Sequence, residues 1–373
     1  MPRIAAIEPI VLRLPAGVDA DRIDGTGDAF IVRVTDEDGR VGLGEADTAP
    51  LVARAAVEMP PSHSVCVGLR DIAVGLDAGQ PERVWRELYD RSRYYGRRGA
   101  TLHAISAIDI AVHDLAAQAA GVPLAAYLGG SADRRIRVYA SFVMPETPDE
   151  VRDLCRLAAG RGYRAVKFGW GPLGRSPELD RSLVAAARAE LGPDRDLFVD
   201  GGQCWDVDGA VRAAATFAEL GVGWLEEPLP PDDLAGYAAL AARSAIPIAA
   251  GEQCEGADEF EALAATGVGV LQPDISRCGG FTVARRVAEV AAERGIECIP
   301  HLYSTGVLTA ASLHFVASTP RGRTSELSVV DSPLANDLLT TRFAVEDGEV
   351  AVPAGPGLGI ALDEAVVDRY RVA

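Results

Sequence analysis

The spacing of apolar positions changes about one third of the way along the chain. Before that point, apolar runs at residues 4–14 and 29–35 have the character of strands. From residue 81 to 120 apolar side chains recur at helical spacing, and Gly121 followed by Val-Pro ends the predicted helix. Strands followed by helices within one segment predict an α+β domain over residues 1–130.

Beyond residue 130, short apolar runs ending in a polar residue alternate with helical stretches. A strand–helix unit repeated eight times is the pattern of a (β/α)8 TIM barrel. The predicted strands are 137–142, 164–168, 197–200, 223–227, 246–252, 269–274, 297–301 and 324–328. An open doubly wound sheet is the alternative, but no glycine-rich nucleotide loop follows the first strand. We therefore predict an α/β fold, with a barrel over residues 131–340. The α+β domain caps it, and a strand-like tail, residues 341–373, returns to this cap.

Composition narrows the classes of partner. Hydrophobic residues make up 48% of the 373 residues, enough for a large core, and the net charge of −18 argues against nucleic acid and anionic membranes. No apolar run approaches the ~20 residues of a membrane span, and the N-terminus lacks the apolar segment of a signal peptide. Six scattered cysteines without a CxxC pair indicate reduced thiols. We expect a cytoplasmic protein that acts on a small molecule.

Acidic residues end three successive predicted barrel strands. Asp200, Glu226 and Glu252 follow one another at steps of 26 residues, and strand ends share one pocket in a TIM barrel. Converging carboxylates repel unless a cation neutralises them, and oxygen ligands suit Mg²⁺, or Mn²⁺, rather than zinc. Three unrelated surface carboxylates are the alternative, which the equal spacing disfavours. Glu227 points to the opposite face of its strand, where we expect a structural ion pair.

Two further strand ends predict acid–base chemistry. Asp274 and His301 end adjacent strands, where a carboxylate can orient an imidazole and strengthen it as a base. Lys167, among apolar neighbours, can place its ammonium against a substrate carboxylate, and Glu326 is predicted to face the same pocket. The remaining histidines lack such a setting and are interpreted as structural or surface residues: His63, His103, His113 and His314.

Five segments resemble motifs of the enolase superfamily and, within it, the mandelate racemase group. They are ISAIDIAVHDLAAQAAGVPLAAYLGG, WLEEPL, IAAGE, LQPDISRCGG and IPHLYSTG. The resemblance runs through the whole chain and implies a capping domain, a TIM barrel and a homo-oligomer. It also implies a role for each site residue: metal ligation by Asp200, Glu226 and Glu252, acid–base catalysis by His301 with Asp274, a hydrogen bond to the enediolate from Glu326, and contact with the substrate carboxylate by Lys167.

Two positions depart from the pattern of this group. Members with a second base carry Lys-x-Lys at the second strand, whereas Lys167 is followed here by Phe168 and Gly169. The position two residues after the first metal ligand is often Asn, and here it is Gly202. Both departures remove polar groups from the side of the pocket opposite His301, which predicts proton transfer on one face only.

These residues and the resemblance together predict a magnesium-dependent acid-sugar dehydratase. His301 takes the α-proton of a sugar acid and returns it to the departing β-hydroxyl, which gives a 2-keto-3-deoxy acid. Racemisation, epimerisation or cycloisomerisation is the alternative, with Tyr139 as a candidate for the second face. A non-catalytic binding barrel is a further alternative, which the complete triad and dyad oppose. Specificity is expected in capping-domain loops around residues 15–28 and 46–65.

Overall fold

An antiparallel sheet packed against helices forms the N-terminal part of the chain. The computed structural model describes residues 2–15, 27–319 and 321–372. Within them this sheet has the order β1 (Ile4–Arg13), β2 (Asp28–Asp36), β3 (Val41–Ala46). The helices of this part are α1 (Pro50–Glu58), α2 (Leu69–Ala73), α3 (Pro81–Ser92), α4 (Ala100–Ala120) and α5 (Leu124–Tyr127). The predicted α+β character is confirmed.

Helix α4 lies directly on strand β3 because the strand carries glycine where the two backbones meet. A Cβ atom on Gly44 would lie 1.9 Å from the carbonyl oxygen of Ala107, so no larger residue fits. The helix ends at Gly121, whose φ of +70° is the left-handed conformation of a helix C-cap, as the sequence predicts. Within the described residues, no helix combines the length and apolar character needed to cross a bilayer.

Eight parallel strands of the described chain follow, and the last of them pairs with the first. They are β4 (Arg135–Val143), β5 (Ala165–Gly169), β6 (Asp196–Asp200), β7 (Leu225–Glu226), β8 (Ile248–Ala250), β9 (Val270–Leu271), β10 (Glu297–Cys298) and β11 (Thr324–Ser328). The helices between them are α6 (Pro148–Gly160), α7 (Pro177–Leu191), α8 (Val207–Glu219), α9 (Leu234–Ala241), α10 (Gly256–Ala265), α11 (Gly280–Arg294) and α12 (Gly306–Ser318). The predicted TIM barrel is confirmed.

Three of the predicted site residues lie beyond the strands that were expected to carry them. Strands β8, β9 and β10 stop two or three residues before Glu252, Asp274 and His301, which therefore lie in the following loops. Pro273 and Pro300 contribute to this difference because proline has no N–H to extend a ladder. Asp274 and His301 nevertheless still pair through an isolated parallel bridge.

The C-terminal segment contacts both parts of the molecule. After α13 (Pro333–Asn336), strand β12 (Glu349–Ala351) pairs antiparallel with β4, so the prediction that this strand returns to the capping sheet is wrong. Strand β5 pairs with β4 only from Ala140 onward, which leaves the earlier part of β4 open to β12. Helix α14 (Glu364–Tyr370) lies against β1 instead, and the N–H of Val372 donates to the carbonyl oxygen of Val11 at 2.8 Å.

Glu45 joins the capping sheet to the barrel. This fully buried residue of β3 accepts hydrogen bonds from the hydroxyl of Ser304 at 2.6 Å and from the N–H of Leu308 at 2.7 Å, and Thr305 donates both its N–H and its hydroxyl. The carboxylate thus binds the N-terminus of α12, where unpaired N–H groups favour negative charge. The loop that follows His301 is fixed to the capping part by these bonds.

Candidate active site

A cavity of about 170 Å³ opens where the barrel strands end. Five of the seven predicted site residues line it, from Lys167 on β5 to Glu326 on β11. The other two, Glu226 and Asp274, lie behind this surface and contact residues that form it. Tertiary structure therefore brings all seven residues to one end of the barrel, as strand-end positions require.

Three carboxylates converge at this end of the barrel. Asp200, Glu226 and Glu252 are buried, and one oxygen atom of each lies within 4.8 Å of the others. Burial and the neighbouring Glu226 carboxylate raise the pKa of Asp200 well above its usual value, which indicates mutual repulsion among the charges. A donor set of three carboxylates, without nitrogen or sulfur, fits a hard divalent cation such as Mg²⁺.

Lys167 supplies positive charge inside this acidic cluster. Its ammonium contacts the carboxylate of Glu226 and lies 2.9 Å from Oε1 of Glu326 and 3.9 Å from Oδ2 of Asp200. Burial lowers the pKa of Lys167, but the carboxylates of Glu226 and Glu326 outweigh it and raise the pKa well above its usual value. Lys167 is therefore a fixed positive charge in this site, suited to hold an anion and unsuited to act as a base.

Glu226 is held beneath the cavity by neutral donors as well. Its Oε2 atom accepts a hydrogen bond from the indole N–H of Trp224 at 3.2 Å and another from the amide of Gln272 at 2.7 Å. The sequence analysis did not single out either donor. Both are buried side chains of the barrel interior, and they fix the orientation of the carboxylate toward the other two acidic groups.

His301 and Asp274 form a hydrogen-bonded pair. Nδ1 of His301 lies 2.8 Å from Oδ2 of Asp274, and the other oxygen of Asp274 accepts hydrogen bonds from the N–H and hydroxyl of Ser276 at 2.7 and 2.6 Å. Burial raises the pKa of Asp274, but the bond to His301 outweighs it and lowers the pKa. An ionised Asp274 holds the proton on Nδ1 and orients the ring so that Nε2 points toward the acidic cluster, 3.3 Å from Oε2 of Glu252.

The ionisation of Glu326 and His301 follows from their neighbours. Burial raises the pKa of Glu326, but Lys167 and His301 outweigh it and lower the pKa. Its Oε2 atom also accepts the N–H of Leu302 at 2.9 Å. Burial lowers the pKa of His301, whereas Glu252, Glu326 and Asp274 raise it well above its usual value. Glu326 is thus an ionised acceptor here, and a hydrogen bond from it to a substrate requires a proton on this carboxyl.

The side of the cavity that lacks the second lysine is occupied by other groups. A Cβ atom on Gly169 would lie 2.5 Å from Cβ of Asp200, so a lysine at this position would displace a residue of the acidic cluster. The indole of Trp170 lines the cavity beside it. Trp170 has a φ of +60°, a left-handed conformation that is strained for a bulky residue. An aromatic surface therefore stands near the position of the missing base.

Tyr139 is not placed to serve this second face. Its ring is fully buried in the barrel interior, packed edge-to-face against Phe198 and Trp224 with centroids 5.4 and 5.7 Å away. It is absent from the cavity lining, and burial raises the pKa of its hydroxyl well above the usual value. The alternative in which Tyr139 serves the second face is therefore without support in the structure.

Glu227 pairs with a neutral side chain and not with the cation that was predicted. Its Oε2 atom accepts a hydrogen bond from the side-chain amide of Gln253 at 2.8 Å, and no salt bridge of Glu227 occurs among the described residues. Burial and the nearby Glu252 carboxylate raise its pKa to about 8. The predicted ion pair is wrong because the side chain stays within the acidic surroundings of Glu252, where a neutral amide is its partner.

The other histidines occupy settings outside the cavity. His63 is exposed and packs against Tyr94, and His103 bridges Thr48 and Glu255. His113 contacts Asp109, and His314 forms hydrogen bonds with two backbone groups. These contacts agree with their interpretation as structural or surface residues.

Besides three residues at the end of β4 (141–143), four loop residues that the sequence analysis did not single out line the cavity: Asp47, Trp170, Arg277 and Tyr303. The last three each lie two or three residues after a predicted polar strand end, in the loops where barrel specificity residues are usually found. Asp47 directly follows β3 and falls within the predicted specificity loop at 46–65. Of the other predicted loop, residues 16–26 lie outside the described residues.

Family models match both parts of the chain. The mandelate racemase / muconate lactonizing enzyme N-terminal domain matches residues 19–129, and the enolase C-terminal domain-like model matches residues 150–366.

Relatives of known activity include cycloisomerases and dehydratases. The chain is 36% identical over 344 residues to 3,6-anhydro-alpha-L-galactonate cycloisomerase of Streptomyces coelicolor, covering 91% of each chain. It is 32% identical over 355 residues to D-galactarolactone cycloisomerase of Agrobacterium fabrum, covering 92% of this chain and 91% of that one. It is 31% identical over 381 residues to D-gluconate dehydratase of Thermoproteus tenax, covering 100% of this chain and 74% of that one.

Solved structures agree with these matches. A predicted mandelate racemase from Rhodobacter sphaeroides superposes with a TM-score of 0.93 at 35% identity, covering 100% of this chain and 96% of that one. A racemase from Streptomyces coelicolor with bound magnesium superposes with a TM-score of 0.87 at 30% identity, covering 99% of this chain and 100% of that one. With its barrel, its capping sheet and its acidic triad, the chain belongs to the mandelate racemase / muconate lactonizing enzyme group of the enolase superfamily.

Proposed function

We propose that this protein is a magnesium-dependent dehydratase of sugar acids. The observation that carries the proposal is the position of His301: Asp274 holds its Nδ1 atom, and its Nε2 atom lies beside the three converging carboxylates, 3.3 Å from Glu252. In this proposal residues 1–130 form the capping domain and residues 131–340 the catalytic barrel; of the segment 341–373, strand β12 joins the barrel sheet and helix α14 lies on the capping sheet. A cytoplasmic location and a homo-oligomer stay predictions.

The proposed metal ligands are the carboxylates of Asp200, Glu226 and Glu252. A bound divalent cation supplies Lewis-acid stabilisation of negative charge on the substrate carboxylate. The magnesium in the Streptomyces coelicolor racemase supports this assignment. Lys167, buried and positively charged, holds the same carboxylate from the side of β5. Glu326 lies 2.9 Å from Lys167 and completes the polar groups at this end of the substrate.

His301 performs the proton transfers in this proposal. Its Nε2 atom removes the proton from C2 of the sugar acid, and Asp274 stabilises the imidazolium that forms. The C3–O bond then breaks, and the imidazolium gives its proton to the departing hydroxyl, which leaves as water. The remaining enol takes a proton at C3 and becomes a 2-keto-3-deoxy acid. One base is enough for this sequence because every transfer by the protein occurs on one face.

Cycloisomerisation is the second candidate, favoured by the two cycloisomerases among the relatives at 36% and 32% identity. The same base serves both reactions. If the oxygen leaving C3 belongs to a ring, it remains attached to the molecule, and the product is an isomer without release of water. The two reactions therefore differ in the substrate, acyclic or cyclic, and share the residues that transfer protons.

Turnover of a sugar-acid panel in D₂O with Mg²⁺ tests the proposal. We expect a 2-keto-3-deoxy product with one deuterium at C3, and recovered substrate that retains its configuration at C2. Release of water separates a dehydratase from a cycloisomerase. Interconversion of C2 epimers at a rate comparable to elimination would show a second base and replace the proposal by an epimerase.

A further inference from the structure

Arg277 lines the cavity but has few partners within the protein. It lies in the loop after β9, and its side chain is 23% exposed. Its Nε atom is buried and has no hydrogen-bond partner among the described residues. A guanidinium carries five N–H donors, and buried donors without acceptors are unfavourable. Because Nε is enclosed while the side chain as a whole is 23% exposed, the terminal guanidinium nitrogens are the donors that a bound ligand can reach.

The carboxylate of Asp47 stands across a short gap from Arg277. Oδ2 of Asp47 lies 4.0 Å from Nη1 of Arg277, which is too long for a direct hydrogen bond. Asp47 comes from the capping sheet, and its N–H donates to the hydroxyl of Ser276 at 3.0 Å. This bond anchors the capping residue on the same loop that carries Arg277, so a donor and an acceptor face each other from two parts of the chain.

One oxygen atom can bridge this gap if it both accepts and donates. Hydrogen bonds to oxygen are about 2.8 Å long, so a single oxygen can reach both groups across the 4.0 Å separation. A hydroxyl accepts from the guanidinium and donates to the carboxylate. A substrate carboxylate has no proton to donate, and the charge of Asp47 repels it. The pair therefore matches an alcohol in preference to a second acid group.

The pair also lies away from the proposed carboxylate anchor. In the strand order of the barrel, three strands separate β9 from β5, which carries Lys167, on either side. A substrate whose carboxylate contacts Lys167 would extend across the barrel toward Asp47 and Arg277. We propose that Asp47 and Arg277 together bind one hydroxyl of the substrate distant from its carboxylate, so that the enzyme selects polyhydroxy monocarboxylates. This inference rests on the proposed function for the position of the carboxylate.

Binding to a variant that lacks the base tests the pair without turnover. In a His301→Asn background loaded with Mg²⁺, calorimetry measures the Kd of D-gluconate, D-galactonate, L-rhamnonate, D-galactarate and lactate. Lactate carries the 2-hydroxy acid group but no distant hydroxyl. Adding Arg277→Met or Asp47→Asn should raise the Kd of the tightest-binding sugar acid by about 10- to 100-fold. The Kd of lactate should rise by much less.

A matched control is Arg243→Met, which removes an arginine that pairs with Asp208 at 2.8 Å on the outside of the barrel; no Kd should change. Equal weakening of sugar acid and lactate, or no weakening of either, overturns the proposal. The proposal is also overturned if D-galactarate, a dicarboxylate, binds more tightly than every monocarboxylate and if Asp47→Asn increases its affinity. If Arg277→Met does not fold, Asp47→Asn alone decides. Because Kd is measured without catalysis, failure here is distinct from failure of the proposed reaction.

Discussion

The indole of Trp170 lies over Gly202 so closely that a Cβ atom on the glycine would be 2.8 Å from Cδ2 of the ring. Gly202 has a φ of +52°, and its N–H donates to Asp200 at 2.9 Å. The glycine thus explains a departure from the group pattern, which often has Asn here. The absence of a side chain at 202 makes room for the aromatic wall of the cavity.

Replacing Gly202 by Asn should therefore displace Trp170. Asn tolerates a positive φ better than most residues, so the main effect comes from the collision with the indole. We expect kcat/KM to fall by roughly 10- to 100-fold because the substrate surface is misplaced. The control is Gly295→Asn, a helix C-cap with φ of +72° and open space around it, which should keep full activity. Unchanged kinetics of Gly202→Asn would show that Trp170 does not position the substrate.

The His301–Asp274 pair predicts a graded loss of activity. His301→Asn should lower kcat by about 10²–10⁴-fold because the base is removed. Asp274→Asn should cost less, since the imidazole remains but loses the carboxylate that orients it. Affinity for Mg²⁺, measured by calorimetry, should stay near that of the wild type in both variants. The exposed His63→Asn serves as control, and near wild-type turnover by His301→Asn would contradict the assignment.

Removal of metal should abolish activity. Treatment with a chelator followed by dialysis should give an inactive protein, and Mg²⁺ or Mn²⁺ should restore turnover. Glu252→Gln keeps the shape of the ligand but removes its charge, so Mg²⁺ affinity should fall by roughly 10-fold or more. The control Glu261→Gln alters a surface pair with Arg286 and should leave the affinity unchanged. Full activity in excess chelator would exclude the metal site.

His314 predicts a pH dependence of stability remote from the cavity. Burial lowers its pKa to about 4, and its ring accepts the N–H of Ala125 on Nδ1 while Nε2 lies 3.1 Å from the carbonyl oxygen of Leu358. The bond at Nδ1 requires the neutral ring because a protonated Nδ1 cannot accept, whereas Nε2 can donate to Leu358 in either state. Below pH 6.5 the unfolded chain binds a proton that folded His314 does not, so stability falls until about pH 4.

Urea denaturation at pH 7.5 and pH 5 measures this effect. As the pH falls from 7.5 to 5, the depressed pKa of His314 should lower the free energy of unfolding of the wild type by about 2 kcal/mol. His314→Gln lacks this titration, so its free energy of unfolding should fall less than that of the wild type between pH 7.5 and pH 5. At pH 5 the variant should therefore approach, or exceed, the wild type in stability. Groups such as Asp114, whose pKa burial raises to about 6, are present in both proteins and cancel to first order. A pH-independent difference would show that His314 titrates normally.

The sequence by itself determined the architecture and the group of the protein. Strand–helix periodicity is a local property, so eight repeats and their polar ends were visible without a structure. The position of a polar residue at a strand end also fixes where it meets the others, because parallel strands of a barrel open on one mouth. For this reason Asp200, Glu226 and Glu252 were identified together from spacing alone.

Only the tertiary structure decided which residues surround these groups. Gln272 and Trp224 hold Glu226 through side chains that spacing does not mark as functional. Asp47 and Arg277 are far apart in the chain and meet only because the capping sheet docks on the loop after β9. The space that Asp200 takes beside Gly169 likewise depends on contacts between strands. The periodicity of apolar residues identifies the strands and helices along the chain. Contacts between these elements depend instead on side-chain volume and on how distant segments pack together.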